Sequence, residues 1–267
     1  MIKILTLNWN GNQYLQALGP GLLCNVQNLA RKGFEAQWHV RDNGSTDDSI
    51  KTIVELGATV YSIGHNRDSY AMGMNYLFNN ANIQDDDIVL LLNNDIVFPE
   101  EDSLFKMLEL LKDNIGIVGA RLLYLNTDKL QHAGVIFGER YGKMPYHYRH
   151  KETSDKEAKR NREFQAVTAA CCFVRASDWR KVGGMSKEYL WCFDDIDFCL
   201  KVGKNLGKKI VYCGGVKIFH EESVSLKKNP VNTLMMPHNV KVFKDKWFGK
   251  YDLDHDRYLK NKDYLAI

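Results

Sequence analysis

"LLLNNDIVFPE", residues 90–100, decides how this chain is read. An apolar run, Ile88 to Leu92, gives way at once to Asn93, Asn94 and Asp95, then resumes with Ile96, Val97 and Phe98 before Pro99. Asn and Asp bond their own backbone and suit loops, so a plain turn explains one or two polar residues. It does not explain an immediate return to apolar ones.

The segments on either side give the stretch a context. "IKILTL", "AQWHV", "TVYSI", "IVLLL" and "GIVGA" are short apolar runs, and amphipathic segments separate them at Gly21 to Lys32, Ser49 to Leu56, Ser69 to Asn80 and Asp102 to Leu111. Alternation at this spacing predicts βαβ units around a mainly parallel sheet flanked by helices, the α/β class. Ligands of such sheets bind beyond the carboxyl ends of the strands. Polar residues follow each strand there: Asn8 and Asn10, then Asp42 and Asn43, then Asn93 to Asp95. The second half is less regular. "FQAVTAACCFVRA" reads as one buried strand, Gly183 and Gly184 as a turn, Asp194 to Leu206 as a helix, and "KIVYC" and "VKIFH" as closing strands. After Pro230 the chain turns helical and basic.

Composition bounds the function. The 267 residues, 45% hydrophobic, suffice for a sizeable core, and the net charge of +3 does not mark a nucleic-acid or membrane protein. No run of about eighteen apolar residues is present, and the N-terminus opens into a strand in place of a signal peptide. The expectation is a soluble, cytoplasmic protein. The six cysteines show no CxxC pair and several sit in apolar runs, which reads as reduced, buried thiols.

Four clusters carry chemistry. Asp95, at the end of a buried strand, is placed to hold a hard divalent cation that bridges substrate phosphates, with Asn93 and Asn94 in support; a structural turn is the other reading. In "WCFDDIDFCLKVG" Asp194, Asp195 and Asp197 crowd a helix N-terminus, where the dipole favours one of them as a cap. Three carboxylates so close repel, so a cation or substrate hydroxyls are the alternative, and one facing a hydroxyl is a natural general base. His220, ending "VKIFH", is a core histidine or a metal ligand. Asp42 and Asn43 in "VRDNGSTDDS" make a turn before a helix cap or accept protons from a nucleotide's base and ribose.

In this order the pieces resemble the family 2 glycosyltransferases of the GT-A fold, particularly the rhamnosyltransferase-like branch. The resemblance runs from about Lys3 to Ser225, through "LNWNG", "RDNGSTDDS", "LLLNNDIVFPE", "IGIVGARLLY", "LQHAGVIFG", "AVTAACCFVRASDWRKVGGMSKEY", "FDDIDFCLKV" and "IFHEESVS". It implies a Rossmann-like central sheet with a smaller acceptor-side region: a nucleotide part over about 1–120, an acceptor part over about 121–225 and a C-terminal helical extension over 226–267. It implies an inverting transferase moving a sugar from a UDP- or dTDP-sugar to a hydroxyl of a glycan or glycolipid precursor. Asp195 would be the catalytic base. Leu7, Asn8, Trp9, Asp42, Asn43, Asn66, Arg67 and Asn94 would bind the nucleotide sugar; Trp191, Asp194 and Asp197 would bind the acceptor. Asp95 and His220 would hold Mn2+ or Mg2+. The sequence departs from the family at Asp194, where Glu is frequent, and at Arg41, where an aliphatic residue is usual.

Three competing readings remain at this level. Between Arg140 and Arg162, Lys and Arg outnumber Asp and Glu and are interleaved with tyrosines, which raises a hydroxymethylated base in DNA as the acceptor. A nucleotidyltransferase on a related sheet would need a Gly-rich, basic phosphate loop near the N-terminus, and none is present. A non-catalytic sugar-nucleotide binding module is the third.

Overall fold

A computed structural model describes residues 1–63, 68–139, 142–148, 155–221 and 234–259. The first half alternates as β1 (Ile2–Asn8), α1 (Asn12–Arg31), β2 (Ala36–Asp42), α2 (Ser49–Glu55), β3 (Thr59–Ser62), α3 (Tyr70–Asn80) and β4 (Ile88–Leu92). It continues through β5 (Ile96–Val97), α4 (Ser103–Glu109) and β6 (Ile115–Tyr124). The second half holds the short β7 (Leu130–His132), β8 (Val135–Phe137), β9 (Pro145–His147), α5 (Asp155–Ala158), β10 (Arg162–Phe164) and β11 (Cys171–Arg175). Then come α6 (Ala176–Lys181), α7 (Asp194–Leu206), β12 (Lys209–His220), α8 (Met236–Trp247) and α9 (His255–Leu259).

The main sheet runs β10-β12-β6-β11-β4-β1-β2-β3, with β5 on β12 and β7 on β6. Strands β1, β2, β3, β4, β6 and β12 share one direction; β10 and β11 oppose it. Register brings the carboxyl ends together, Asn8 opposite Asp42 and Leu5 opposite Leu91.

Period two along the strands splits the core between two faces. Ile4, Leu90 and Leu92 pack under Leu15, Leu18 and Leu22 of α1 and Leu104 and Met107 of α4. Leu5, Val89 and Leu91 pack on the other face under Met74 and Leu77 of α3, Trp179 of α6, Phe198 of α7 and Phe243 of α8. Burial on both faces is why these strands read as nearly continuous apolar runs.

Three expectations are corrected. Helix α1 begins at Asn12, well before Gly21, and carries Pro20 inside it. Glycines flank that proline because the helix lies close to its neighbours: a Cβ on Gly19 would stand 2.5 Å from Leu56 Cδ2, and one on Gly21 would stand 2.6 Å from the Phe98 carbonyl oxygen. "FQAVTAACCFVRA" is not one strand but the end of β10, a turn through 165–170, and β11. "KIVYC" and "VKIFH" are one strand, β12, with a register shift between Cys213 and Ile218. That irregularity spans Gly214, where a Cβ would meet the Arg160 backbone at 2.4 Å. All six cysteines are free, but Cys24 is exposed.

The segment that raised DNA as an acceptor lies partly outside the described residues. Of its described members, Tyr148 and Arg162 are 1% exposed, and the Tyr148 hydroxyl donates to the Tyr258 carbonyl at 3.2 Å. Those two side chains belong to the core, where they reach neither bases nor phosphates. The C-terminal extension is also integral, since Phe243 of α8 is fully buried. No helix among the described residues is long and apolar enough to cross a membrane.

Candidate active site

The carboxyl ends of β1, β2 and β4 open into a cleft of about 420 Å³. Its walls bring together Leu7, Asn8, Trp9, Asn43, Asn94 and Asp95 from one side and Trp191, Asp194 and Asp195 from the other. Asp68, Ser69, Tyr70 and the Thr168–Ala170 turn complete it.

Asp95 meets His220 because β5 pairs with the end of β12, Ile96 opposite His220. The His220 Nε2 stands 3.2 Å from Asp95 Oδ1, and both side chains are nearly buried, at 13% and 12% exposure. Yet Asp95 Oδ1 has no hydrogen-bond partner. The reason lies across the ring. His220 Nδ1 is 2.7 Å from Gln131 Oε1, and the Gln131 amide nitrogen donates to the His220 carbonyl at 3.1 Å. The second bond orients the amide, so Oε1 accepts and Nδ1 carries the proton. In the neutral ring Nε2 then presents a lone pair toward the Asp95 carboxylate. Asn93 Nδ2, 3.3 Å from Nε2, faces the same lone pair.

An orphaned carboxylate oxygen beside the nitrogen of a neutral imidazole would fit a divalent cation. Among the described residues no group of three or more His, Cys, Asp and Glu side chains is placed to hold a metal ion; Asp95 and His220 form a pair of possible ligands.

Across the cleft the chain enters α7 through Phe193, a non-glycine residue in the left-handed region (φ 69°) that stacks on Phe243. Such strain persists where surrounding packing enforces it. It sets Asp194 and Asp195 side by side in the first turn. Asp195 Oδ1 accepts the Ile196 N–H at 2.8 Å and Oδ2 accepts the Ala169 N–H at 3.3 Å. Burial, then the neighbouring Asp195 charge, pushes the Asp194 carboxyl above its ordinary range.

Two expected binding residues are placed elsewhere. Asp197 is fully buried beneath the cleft, where its carboxylate accepts from Ser186 Oγ at 2.5 Å and Trp247 Nε1 at 2.8 Å. Two positions beyond Asp195, helical spacing turns it away from that carboxylate, and it ties α7 to α8. Asp42 is also fully buried and spoken for: Oδ1 accepts from the Gly44 and Ser45 N–H groups at 3.1 and 2.9 Å, Oδ2 from Ser45 Oγ at 2.6 Å and Asn8 Nδ2 at 3.0 Å. It shapes the loop. Asn43 faces the cleft in its place, with Oδ1 buried and unpartnered. Asn94 donates to Asn8 Oδ1 at 2.8 Å, and Asn66 and Arg67 lie outside the described residues.

Sequence reasoning missed Gln131, Tyr70, Asp68 and the Thr168–Ala170 turn. "LQHAGVIFG" and "AVTAACC" among the resembling motifs signalled Gln131 and the turn, while Asp68 and Tyr70 lay in no quoted motif. Arg41, the unexplained residue of the second strand, gains an account: its Nε donates to Asp68 Oδ2 at 3.0 Å, and its guanidinium lies 3.7 Å from the centroid of the Tyr76 ring. Arg41 thereby anchors Asp68 at the cleft mouth.

A family model described as glycosyltransferase like family 2 matches residues 45–231. The uncharacterized protein y4gI of Sinorhizobium fredii is 30% identical over 218 residues, which span 78% of this chain and 24% of that protein. The O-antigen biosynthesis protein RfbC of Myxococcus xanthus is 25% identical over 151 residues, 54% of this chain and 12% of that one. The chain therefore spans a quarter or less of the length of these curated relatives. The mannosyltransferase PcManGT of Pyrobaculum calidifontis, solved with GDP-Man and Mn2+, superposes with a TM-score of 0.62 at 12% identity, over 97% of this chain and 68% of that one. This likeness establishes the shared GT-A fold.

Proposed function

We propose, for a chain that belongs to the glycosyltransferase-like family 2, transfer of a sugar from a nucleoside diphosphate donor, UDP- or dTDP-linked, to an acceptor hydroxyl with inversion at the anomeric carbon. The observation that carries the reading is one cleft lined by both Asp195 and Asp95, with His220 3.2 Å behind Asp95. The acceptor is a hydroxyl of a glycan or glycolipid precursor. Similarity to a protein named for O-antigen biosynthesis supports that class.

In this reading Asn43 and the Leu7 to Trp9 segment receive the nucleoside, Asn43 through its unpartnered Oδ1. Asp95 and His220 would hold a divalent cation, Mn2+ or Mg2+, which would offset the charge of the leaving diphosphate. Asp195 takes the proton of the acceptor hydroxyl as its oxygen bonds to the anomeric carbon and the carbon–diphosphate bond breaks. The Ala169 and Ile196 N–H groups hold the Asp195 carboxylate in place for that transfer. Asp194, raised by burial, keeps its proton to higher pH than an ordinary carboxyl and so limits the charge crowded beside the base. Trp191 and Leu190 give the acceptor side an apolar wall that excludes water and seats a sugar ring.

A thermal-shift screen of UDP-, dTDP- and GDP-sugars with and without Mn2+ tests donor binding, because a ligand selective for the folded state raises the apparent melting temperature. One nucleotide class should stabilise the protein, more so with Mn2+. Transfer to glycan acceptors, with the product's anomeric configuration read by NMR, then tests inversion. Stabilisation by no sugar nucleotide would count against the reading.

A further inference from the structure

Strand β7 is three residues long, yet two of its side chains, behind the cleft lining, bond to His220 beside Asp95 and to Thr168 of the turn beside Asp195. It pairs with β6, Leu122 opposite His132, and buries Gln131 to 4% and His132 to 1% exposure. Neighbouring strand residues point to opposite faces, so one dipeptide can serve two places.

Gln131 serves the metal side. Its amide grips His220 at two points, Oε1 on Nδ1 at 2.7 Å and Nε2 on the backbone carbonyl at 3.1 Å. An imidazole in water prefers no such orientation; here both its rotation and its tautomer follow from one side chain.

His132 serves the base side. Its Nε2 accepts the N–H groups of Gly134 and Thr168, each at 3.3 Å, so its proton sits on Nδ1, which lies 2.8 Å from His147 Nδ1. Thr168 begins the turn whose next N–H, that of Ala169, donates to Asp195. The same turn accepts from the Tyr70 hydroxyl at the Ala169 carbonyl, 3.0 Å, and from the Asn93 N–H at the Ala170 carbonyl, 2.8 Å. His132 thus fixes a backbone element that touches both the general-base wall and the loop carrying Asp95.

We propose that Gln131 and His132 form a paired positioning device, Gln131 fixing the His220 ring with Nδ1 protonated and Nε2 toward Asp95, and His132 fixing the Thr168–Ala169 backbone that holds Asp195. The inference rests on the roles given above to Asp95, His220 and Asp195. Neither residue touches the reacting atoms.

The test uses the full chain without substrate. Long-range proton–nitrogen NMR of the histidine rings at pH 8, assigned by the signals lost in His132→Gln and His220→Gln, should show both rings as the Nδ1–H tautomer. Either ring as Nε2–H overturns the proposal, whatever the variants do. Mn2+ alone is then titrated by loss of its free-ion EPR signal. Gln131→Met, which fills the volume without an acceptor, should weaken Mn2+ binding at least tenfold, and Gln131→Glu, which still accepts from Nδ1, should stay within about threefold of the parent. Equal Mn2+ binding by the Met variant and the parent overturns the proposal. A parent that shows both Nδ1–H tautomers but binds no Mn2+ supports the hold on the ring and overturns the metal role assigned to Asp95 and His220.

Discussion

His220 Nε2 stands 3.2 Å from Asp95 Oδ1, a buried carboxylate oxygen with no hydrogen-bond partner. A buried carboxylate oxygen left in this state costs stability until a cation satisfies it. Asp95→Asn should therefore match or exceed the parent's melting temperature without metal, lose the rise caused by Mn2+, and cut turnover at least a hundredfold. Differential scanning with and without Mn2+, beside a turnover assay, measures all three. A variant that still gains stability from Mn2+ would remove Asp95 from the site.

Asp42 acts on the fold before any nucleotide arrives. Its carboxylate collects four donors in a fully buried position. Asp42→Ala leaves those donors unpaired and should lower stability by roughly 2–3 kcal/mol, as expected for hydrogen bonds to a buried charged group. Urea denaturation of the ligand-free protein checks this; an unchanged midpoint would return Asp42 to the role of a free nucleotide ligand.

The glycines of α1 separate helix propensity from packing. Alanine is favoured over glycine inside a helix by about 1 kcal/mol, so an exposed exchange would stabilise. At Gly21 the added methyl would stand 2.6 Å from the Phe98 carbonyl oxygen, part of the loop that follows Asp95. Overpacking should win, with Gly21→Ala destabilising by about 1–3 kcal/mol. Gly19→Ala, which meets only the mobile end of the Leu56 side chain, should cost less than Gly21→Ala under the same denaturation.

Asp254 gives a pH signature away from the cleft. Burial raises its carboxyl from 3.8 to about 6, against the bonds it accepts from the Phe137 N–H and the Gln165 amide. The folded protein thus binds the proton more tightly than the unfolded chain. Its contribution is complete below about pH 4 and is lost as pH rises through about 6. Asp254→Asn has no such loss, so its stability relative to the parent should climb by roughly 2 kcal/mol between pH 4 and 7. Melting of both proteins across that range cancels other titrating groups; a constant difference would mean that Asp254 stays charged throughout.

Much of the nucleotide half is legible in the sequence because burial on both faces leaves a plain mark. "IVLLL" and "IKILTL" can only be interior strands, and their polar ends then have to share one edge. The Asp95 and Asp195 motifs stand out for the same reason, as carboxylates set abruptly beside apolar runs. What the sequence hides is direction and register. Asp42 and Asp197 carry the right chemistry but point inward, into loops and helices that satisfy them. Gln131 and His132 matter only once β7 is paired with β6 and β12 has been carried across its irregularity to His220. The helix start at Asn12 lies upstream of Pro20, a residue rare inside helices, which is accommodated here with Gly19 and Gly21 packed against Leu56 and Phe98.

Asp195→Asn is the most direct test of catalysis in this cleft. The amide keeps the size of the carboxylate and can still accept the Ala169 N–H, but it cannot take a proton. The variant should bind the stabilising sugar nucleotide within about threefold of the parent while release of nucleoside diphosphate falls by a factor of about a thousand or more. Parental turnover by Asp195→Asn would contradict the role of Asp195 as the base.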